Sequence, residues 1–375
     1  AAFDYYCVLP GQGRYFNPTF RVRGAAPWPR STITKQKQHS SDAITDISLE
    51  WLKNGWDRAR PFFLMHHFKA PHDMFQNAPR YDNYLSDMEI PEPTNLHNQP
   101  GKNFGSEASR GFGSGLAKGH ESWRLGRRLG IDQNLKDPEY TRTNYQEYLK
   151  RYLRCVKGVD DNVKRLIDFL QDTGDLDNTV IIYTGDQGFF LGEHDLMDKR
   201  WMYEEAMRMP FIVHYPKVVK EGSTNDWLIN NTDFAPTILD LAGVETPNYM
   251  QGRSFASGLR GETRPADWRT ATYYRYWMHM AHMLRVPAHF GIRTARYKLV
   301  FFYGATPSGD NQTPVAWELY DLNNDPFEMQ NEYSNPEYAE VISELKAELQ
   351  RQRDDLNETD AAYPEIRSII DANWN

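Results

Sequence analysis

Apolar residues gather along this chain in three short runs, each bounded by turn formers: 61–68 (PFFLMHHF), 179–184 (TVIIYT) and 210–215 (PFIVHY). Their length and their β-branched and aromatic content predict buried strands of a parallel sheet. Ahead of the second run, Tyr152, Val156, Val159, Val163, Leu166 and Leu170 recur at steps of three and four. That spacing puts them on one face of a helix, which the polar DTGDLDN segment then ends. Helix, short loop and buried strand form the repeating unit of an α/β sheet covered by helices.

Between 76 and 143 the periodicity fades, and a polar stretch rich in Gly, Asn and Arg includes GFGSGLAKGHES. It reads as a long surface insertion, a feature that in compact domains usually has a function or moves. No GxxxxGK[ST] is present, so the Gly run is not a phosphate loop. From about 264 the pattern changes again. HFGIRTARYKLVFFYG and AWELYDLNNDP predict antiparallel strands closed by an Asn-Asp-Pro turn. Tyr338, Val341, Ile342, Leu345 and Leu349 then mark one side of a final helix. The expected organisation is a domain over 1–262, with 76–143 inserted, and a smaller α+β domain over 263–375.

Length and composition narrow the classes. At 375 residues the chain is long enough for one large and one smaller domain. A hydrophobic fraction of 40%, 14% aromatics and ten Trp exclude a disordered protein. A net charge of −8 gives no reason to expect nucleic acid, and no apolar run reaches bilayer-spanning length. Cys7 and Cys155 form neither a CxxC pair nor a zinc cluster, and the sequence leaves open whether they pair with each other. The opening AAFDYYCVLPGQG is neither a signal peptide nor an initiator region, so further sequence is expected upstream.

Candidate chemistry collects after the predicted strands. Asp186 and Gln187 follow the second run, where open α/β sheets build their sites. Their oxygens suit calcium or magnesium better than zinc, although an ordinary Asp-Gln-Gly turn has the same spacing. Lys199 in DKR would neutralise an oxyanion, and His194 in GEH would shuttle a proton. Alone, each is equally a surface charge or a histidine satisfied by its neighbours. At the end of the first run stand His66, His67, Lys69 and His72. Strand alternation sends His67 and Lys69 to one side and His66 to the other. If the strands are parallel, Lys69 and His72 share a rim with Asp186, where cations and a metal make a pocket for a tetrahedral anion.

TGDQGFFLGEH…DKRWMYEEAMRMPFIV resembles the C-terminal signature of formylglycine-dependent sulfatases of the alkaline phosphatase superfamily. FDYYCVLPGQGRYFNPTF, FFLMHHFKAPH, TDFAPTILDLAGVETPNYMQGRSF and GIRTARYKLVFFY…WELYDLNNDPFEMQN are similar to further family segments, in family order. The resemblance implies an α/β fold: an alkaline-phosphatase-like sheet sandwiched by helices, followed by a C-terminal antiparallel sheet and helix. It implies that Asp186 and Gln187 ligate Ca2+, ahead of Mg2+, that Lys199 contacts the sulfate, and that Lys69 and His72 lie near the ester. His72 or Lys199 would protonate the leaving oxygen, and His194 would contact substrate less directly.

The family nucleophile is a formylglycine made in a C-x-P-S-R type motif, which neither Cys7 nor Cys155 matches. That motif, two more acidic ligands and the first strand are expected upstream of Ala1, leaving this chain alone without its nucleophile. DKRWMYEE and the aromatic, His-rich YYRYWMHMAHMLRVPAHFGIRT look like bacterial carbohydrate sulfatases. His282, Arg285 and His289 are the expected sugar contacts, and a sulfated glycan, a glycosaminoglycan or marine polysaccharide, is the expected substrate. For most Trp and Tyr of that segment, packing is the ordinary role. The alternatives are a phosphodiester or phosphonate ester hydrolase of the same superfamily, and a sulfated-glycan binder without turnover. Family membership further implies a periplasmic or secreted location.

Overall fold

The computed structural model describes residues 3–23, 30–97 and 115–375, so the first part of the Gly-rich stretch lies outside the described residues. The chain begins with β1 (Cys7–Val8), β2 (Thr19–Arg23), β3 (Arg30–Thr34) and α1 (Ser40–Asn54). The short α2 (Leu125–Leu129) and long α3 (Glu139–Asp172) follow. Next come β4 (Ile181–Thr184), β5 (Phe190–Leu191), β6 (Met197–Asp198), α4 (Glu204–Met207) and β7 (Phe211–His214). Helices α5 (Phe234–Leu241) and α6 (Ala256–Leu259) precede β8 (Ala271–Tyr276), β9 (His289–Thr294), β10 (Tyr297–Phe302) and β11 (Ala316–Asp321). The chain closes with α7 (Ala339–Asp355) and α8 (Pro364–Asn373). Two compact units result, one of Ala1–Pro91 with Gln146–Thr179, the other of Glu92–Tyr145 with Val180–Asn375.

In the first unit β1, β2 and β3 form an antiparallel meander in which Phe20 faces Ile33. The predicted helix is present within the longer α3, and polar contacts hold it to α1. Asn162 donates to Asp42 at 2.9 Å, and Arg165 pairs with Asp46 at 2.5 Å. The run 61–68 forms no ladder among the described residues. Its burial nevertheless alternates, with His66 turned inward and Phe63, Met65 and His67 exposed. His66 meets the Ser48 hydroxyl of α1 at 2.8 Å, and burial, with His67 beside it, lowers its pKa to about 4.

The second unit is organised by the antiparallel sheet β11-β10-β9-β8. Strand alternation divides β10 between two cores. Leu299 and Phe301 join Phe290, Ile292 and Leu319 under Leu345 and Leu349 of α7 and Ile366 and Ile370 of α8. Val300 and Phe302 point the other way, into a cluster with Phe190, Trp201, Met202, Tyr203, Tyr276 and Tyr320.

Three expectations are corrected. The runs holding β4 and β7 pair antiparallel, Ile181 opposite His214 and Thr184 opposite Phe211. The 185–210 connection consists of turns, a small hairpin and the four-residue α4, with none of the crossover helix that parallel strands need. A single large sheet is not formed among the described residues; the architecture is mixed α/β with separate small sheets. The domains do not divide at 262/263 either, because β10 and residues 190–203 share one core.

Candidate active site

In the first unit, Lys69 and His72 occupy the turn that ends the extended run, closed by the His72 N–H donating to the Lys69 carbonyl at 3.0 Å. Buried Tyr15 serves both residues. Its ring lies 4.7 Å from the Lys69 ammonium, and its hydroxyl donates to the His72 carbonyl. Burial lowers the Lys69 pKa from its ordinary value, with Asp73 pulling against it. Asp73 Oδ1 stands 2.6 Å from His72 Nδ1, which orients the ring and leaves Nε2 for proton transfer.

In the second unit, Asp186 and Gln187 sit in the turn after β4. Asp186 is exposed, and its carboxylate accepts the Gln187 N–H at 3.2 Å, keeping most of its acceptor capacity. A carboxylate and an amide oxygen on adjacent residues fit a hard divalent cation. The turn is seated on α4: Gly188 N–H donates to the Ala206 carbonyl at 2.9 Å, and a Cβ at Gly188 would strike the Glu205 carbonyl oxygen. The β5–β6 hairpin pairs Phe190 with Asp198 and so sets Phe189 beside Lys199. The Lys199 ammonium stands 5.8 Å from the Phe189 ring. Its neighbours fasten it to the large sheet. Tyr274 Oη donates to the Arg200 carbonyl at 3.3 Å, and buried Trp201 packs near Phe302 and His289.

His194 and His289, expected to contact substrate, are instead buried. His194 has a side chain 2% exposed, stacks on Tyr203 at 4.8 Å, and is pushed down to about 3 by burial and nearby Lys298. His289 is fully buried among Tyr274, Tyr276 and Phe302, its Nδ1 paired with the Pro287 carbonyl oxygen at 2.7 Å. Burial depresses it to about 4. Both rings therefore stay neutral at pH 7, as packing for the segment that presents Lys199. His282 and Arg285 are exposed, on the loop that leaves the sheet at the Tyr276–His289 pair.

Beneath α4 lies a charge cluster that sequence patterns did not reveal. Fully buried Lys298 holds Glu328 at 2.6 Å and Glu204 at 3.0 Å, and Arg293 adds a second pair to Glu204. Glu328 also accepts the Glu204 N–H at 2.7 Å, at the start of α4. His194, Glu205 and Glu328 bring ligand-type atoms within 4.8 Å of one another. The Lys298 ammonium already supplies the cation there, so the cluster is an ion-pair anchor rather than a metal centre. Tyr15 and Asp195 were also missed, since neither has a distinguishing sequence context.

Both cysteines are free thiols. Cys7, in the two-residue β1, is half-buried, and Cys155 is buried inside α3 with its thiol pushed up to about 12. Neither fits a formylglycine precursor. Among the described residues no helix is long and apolar enough to cross a membrane.

The sulfatase family profile matches residues 8–244, and that of N-sulphoglucosamine sulphohydrolase, C-terminal, matches 192–355. An N-acetylglucosamine-6-O-sulfatase of Bacteroides thetaiotaomicron is 36% identical, covering 96% of this chain and 68% of its own length. The human N-acetylglucosamine-6-sulfatase is 28% identical over 73% of this chain, which spans 45% of it. A solved structure in complex with its substrate D-glucosamine-2-N,6-O-disulfate superposes with a TM-score of 0.82 at 36% identity. It covers 96% of this chain and 77% of its own.

Proposed function

Because this chain belongs to the sulfatase family and is a sulfate ester hydrolase, we propose that its substrate is a 6-O-sulfated glucosamine residue of a glycosaminoglycan. The observation that carries this reading is likeness along 96% of the chain to a bacterial relative named for that substrate. Half-buried Lys and His side chains on turns, held by buried partners, give it a chemical basis.

Overall the sulfuryl group passes to water: a new S–O bond forms as the bond to the sugar oxygen breaks, and negative charge moves onto that leaving oxygen. We assign Lys199 to the sulfate and Lys69 to the ester region, as ammonium groups whose charge opposes the one that develops. His72 Nε2 protonates the leaving oxygen, with Asp73 holding the ring from the other side. Asp186 and Gln187 would hold calcium, which when bound adds a fixed positive charge against the sulfate oxygens. His282 and Arg285 are assigned to the sugar. No step is assigned to a formylglycine, since neither cysteine fits one.

The test is sulfate release, in calcium, from glucosamine 6-sulfate, its 3-sulfate isomer, galactosamine 6-sulfate and glucosamine 6-phosphate. Preference for the first by at least about tenfold is expected where a site hydrogen-bonds one epimer's hydroxyl. Equal rates on the galactose epimer or on the phosphate ester would sink the assignment. The same reading places the protein in the periplasm or outside the cell, where such polymers are met, and cell fractionation checks that.

A further inference from the structure

Asp195, in the turn of the β5–β6 hairpin, is buried. Its carboxylate accepts the N–H groups of Leu116 at 2.9 Å and Ala117 at 2.8 Å, and pairs with His120 Nδ1 at 2.8 Å. Gly115 also bridges to Leu196. The described part of the polar insertion is thus clamped onto the hairpin that leads to Lys199. Asp195 stands four residues before Lys199, so at most about 14 Å separates their α-carbons.

The clamped segment carries a basic, aromatic surface. Leu125, Gly126 and Leu129 turn α2 inward, and a Cβ at Gly126 would strike the Tyr140 hydroxyl. Arg124, Arg127 and Arg128 are left exposed beside Trp123, itself 38% exposed. None of the three arginines makes an ion pair with a described residue. The nearby acid, Glu121, is turned inward to the Tyr140 hydroxyl at 2.9 Å and the Gly126 N–H. Trp123 and Arg124 both adopt left-handed backbone, φ 57° and 53°, uncommon for residues this large. Donating to the Asp195 carboxylate also raises the pKa of His120, favouring a further cation on the same segment.

On a chain of net charge −8, unpaired arginines beside an exposed indole match one class of ligand. We propose that Trp123, Arg124, Arg127 and Arg128 form a subsite for the neighbouring sugars of a sulfated oligosaccharide, beyond the residue that loses its sulfate. Guanidinium groups pair bidentately with sulfate or carboxylate, and an indole face packs on a pyranose ring. The proposal rests on the glycan reading above and makes the substrate an oligosaccharide rather than a free monosaccharide.

Calorimetric titration separates the two readings, because it does not depend on sulfate release. The probes are a heparin-derived tetrasaccharide ending in 6-O-sulfated glucosamine, and glucosamine 6-sulfate alone. For Arg124→Ala/Arg127→Ala/Arg128→Ala, tetrasaccharide affinity should fall about tenfold, the worth of three exposed ion contacts. Affinity for the monosaccharide should not change, and Trp123→Ala should lose several-fold on the tetrasaccharide only. Wild-type tetrasaccharide affinity in the triple variant, or equal loss on both sugars, would overturn the subsite. So would a single-stranded oligonucleotide of equal charge binding as tightly as the tetrasaccharide. Should the triple variant melt earlier than wild type, the single Arg127→Ala carries the same comparison.

Discussion

The sheet β8–β11 and the pair β4–β7 are both antiparallel and both apolar, yet their side chains end in different surroundings. In the sheet, Phe290, Leu299 and Phe301 are covered by helices on one face, and Val300, Phe302 and Tyr320 by residues 190–203 on the other. In the pair, Ile212 is 62% exposed and Tyr183 39%. The sheet acts as the reference body, fixing Trp201 and Tyr203 and through them the segment that presents Lys199. The pair carries Asp186 and Gln187, whose turn is held through Gly188 against α4, and α4 is held by Lys298 of the sheet. Groups proposed to meet substrate and groups that hold them are therefore distinguished by burial, not by membership of a motif.

The sharpest break of that contrast is Lys298→Ala. It strands the buried Glu328 carboxylate and leaves Glu204 with Arg293 alone, and should cost about 3–5 kcal/mol in urea unfolding. A loss under about 1 kcal/mol would show that the sheet does not anchor α4 through this pair. Next is Lys199→Ala, at the rim. Turnover should fall about 10²–10³-fold with the unfolding midpoint unmoved, and near-normal turnover would remove Lys199 from the chemistry.

Glu205 sharpens the comparison through pH. Burial first, then Glu328 and Glu193, raise its pKa from 4.5 to about 7, so folding favours the protonated acid. Its contribution is complete below about pH 4.5 and is lost as pH rises through about 7. The size is on the order of 2–3 kcal/mol. Glu205→Gln should flatten that part of the stability profile, and an unchanged slope would reject the assignment. His194 and His289 act on the acid side, where stability falls as pH drops below about 6.5, because their folded pKa values are depressed. Smallest of all, Ile212→Ser should change stability by no more than about 0.5 kcal/mol, and a larger cost would mean the pair is packed after all.

Much of this was legible in the sequence. The three- and four-residue spacing found α3 and α7, and the alternation in HFGIRTARYKLVFFYG found β9 and β10. Strand direction was not, because an apolar run reads the same in either orientation and only its connection decides. Motif reasoning grouped His194 with Lys199 since both lie in the signature. It could not see that a ring beside Tyr203 and Glu205 is removed from water while the ammonium five residues later stays at the surface. Lys298 was invisible for the converse reason: a lysine in YKLVFF looks like an ordinary solvated strand position until Glu204 and Glu328, distant in sequence, close over it. The YYRYWMHMAHMLRVPAHFGIRT segment divided, with His289 in the core and His282 and Arg285 on the loop.

The alternation of β10 has a consequence for how the second unit comes apart. One strand lends successive side chains to two cores, so neither can lose its order while the other keeps its own. Amides on both sides of β10 should exchange with solvent at a shared opening free energy, as a single cooperative block. The turn after β4, which contributes no residue to either core, is free to open independently and on faster timescales.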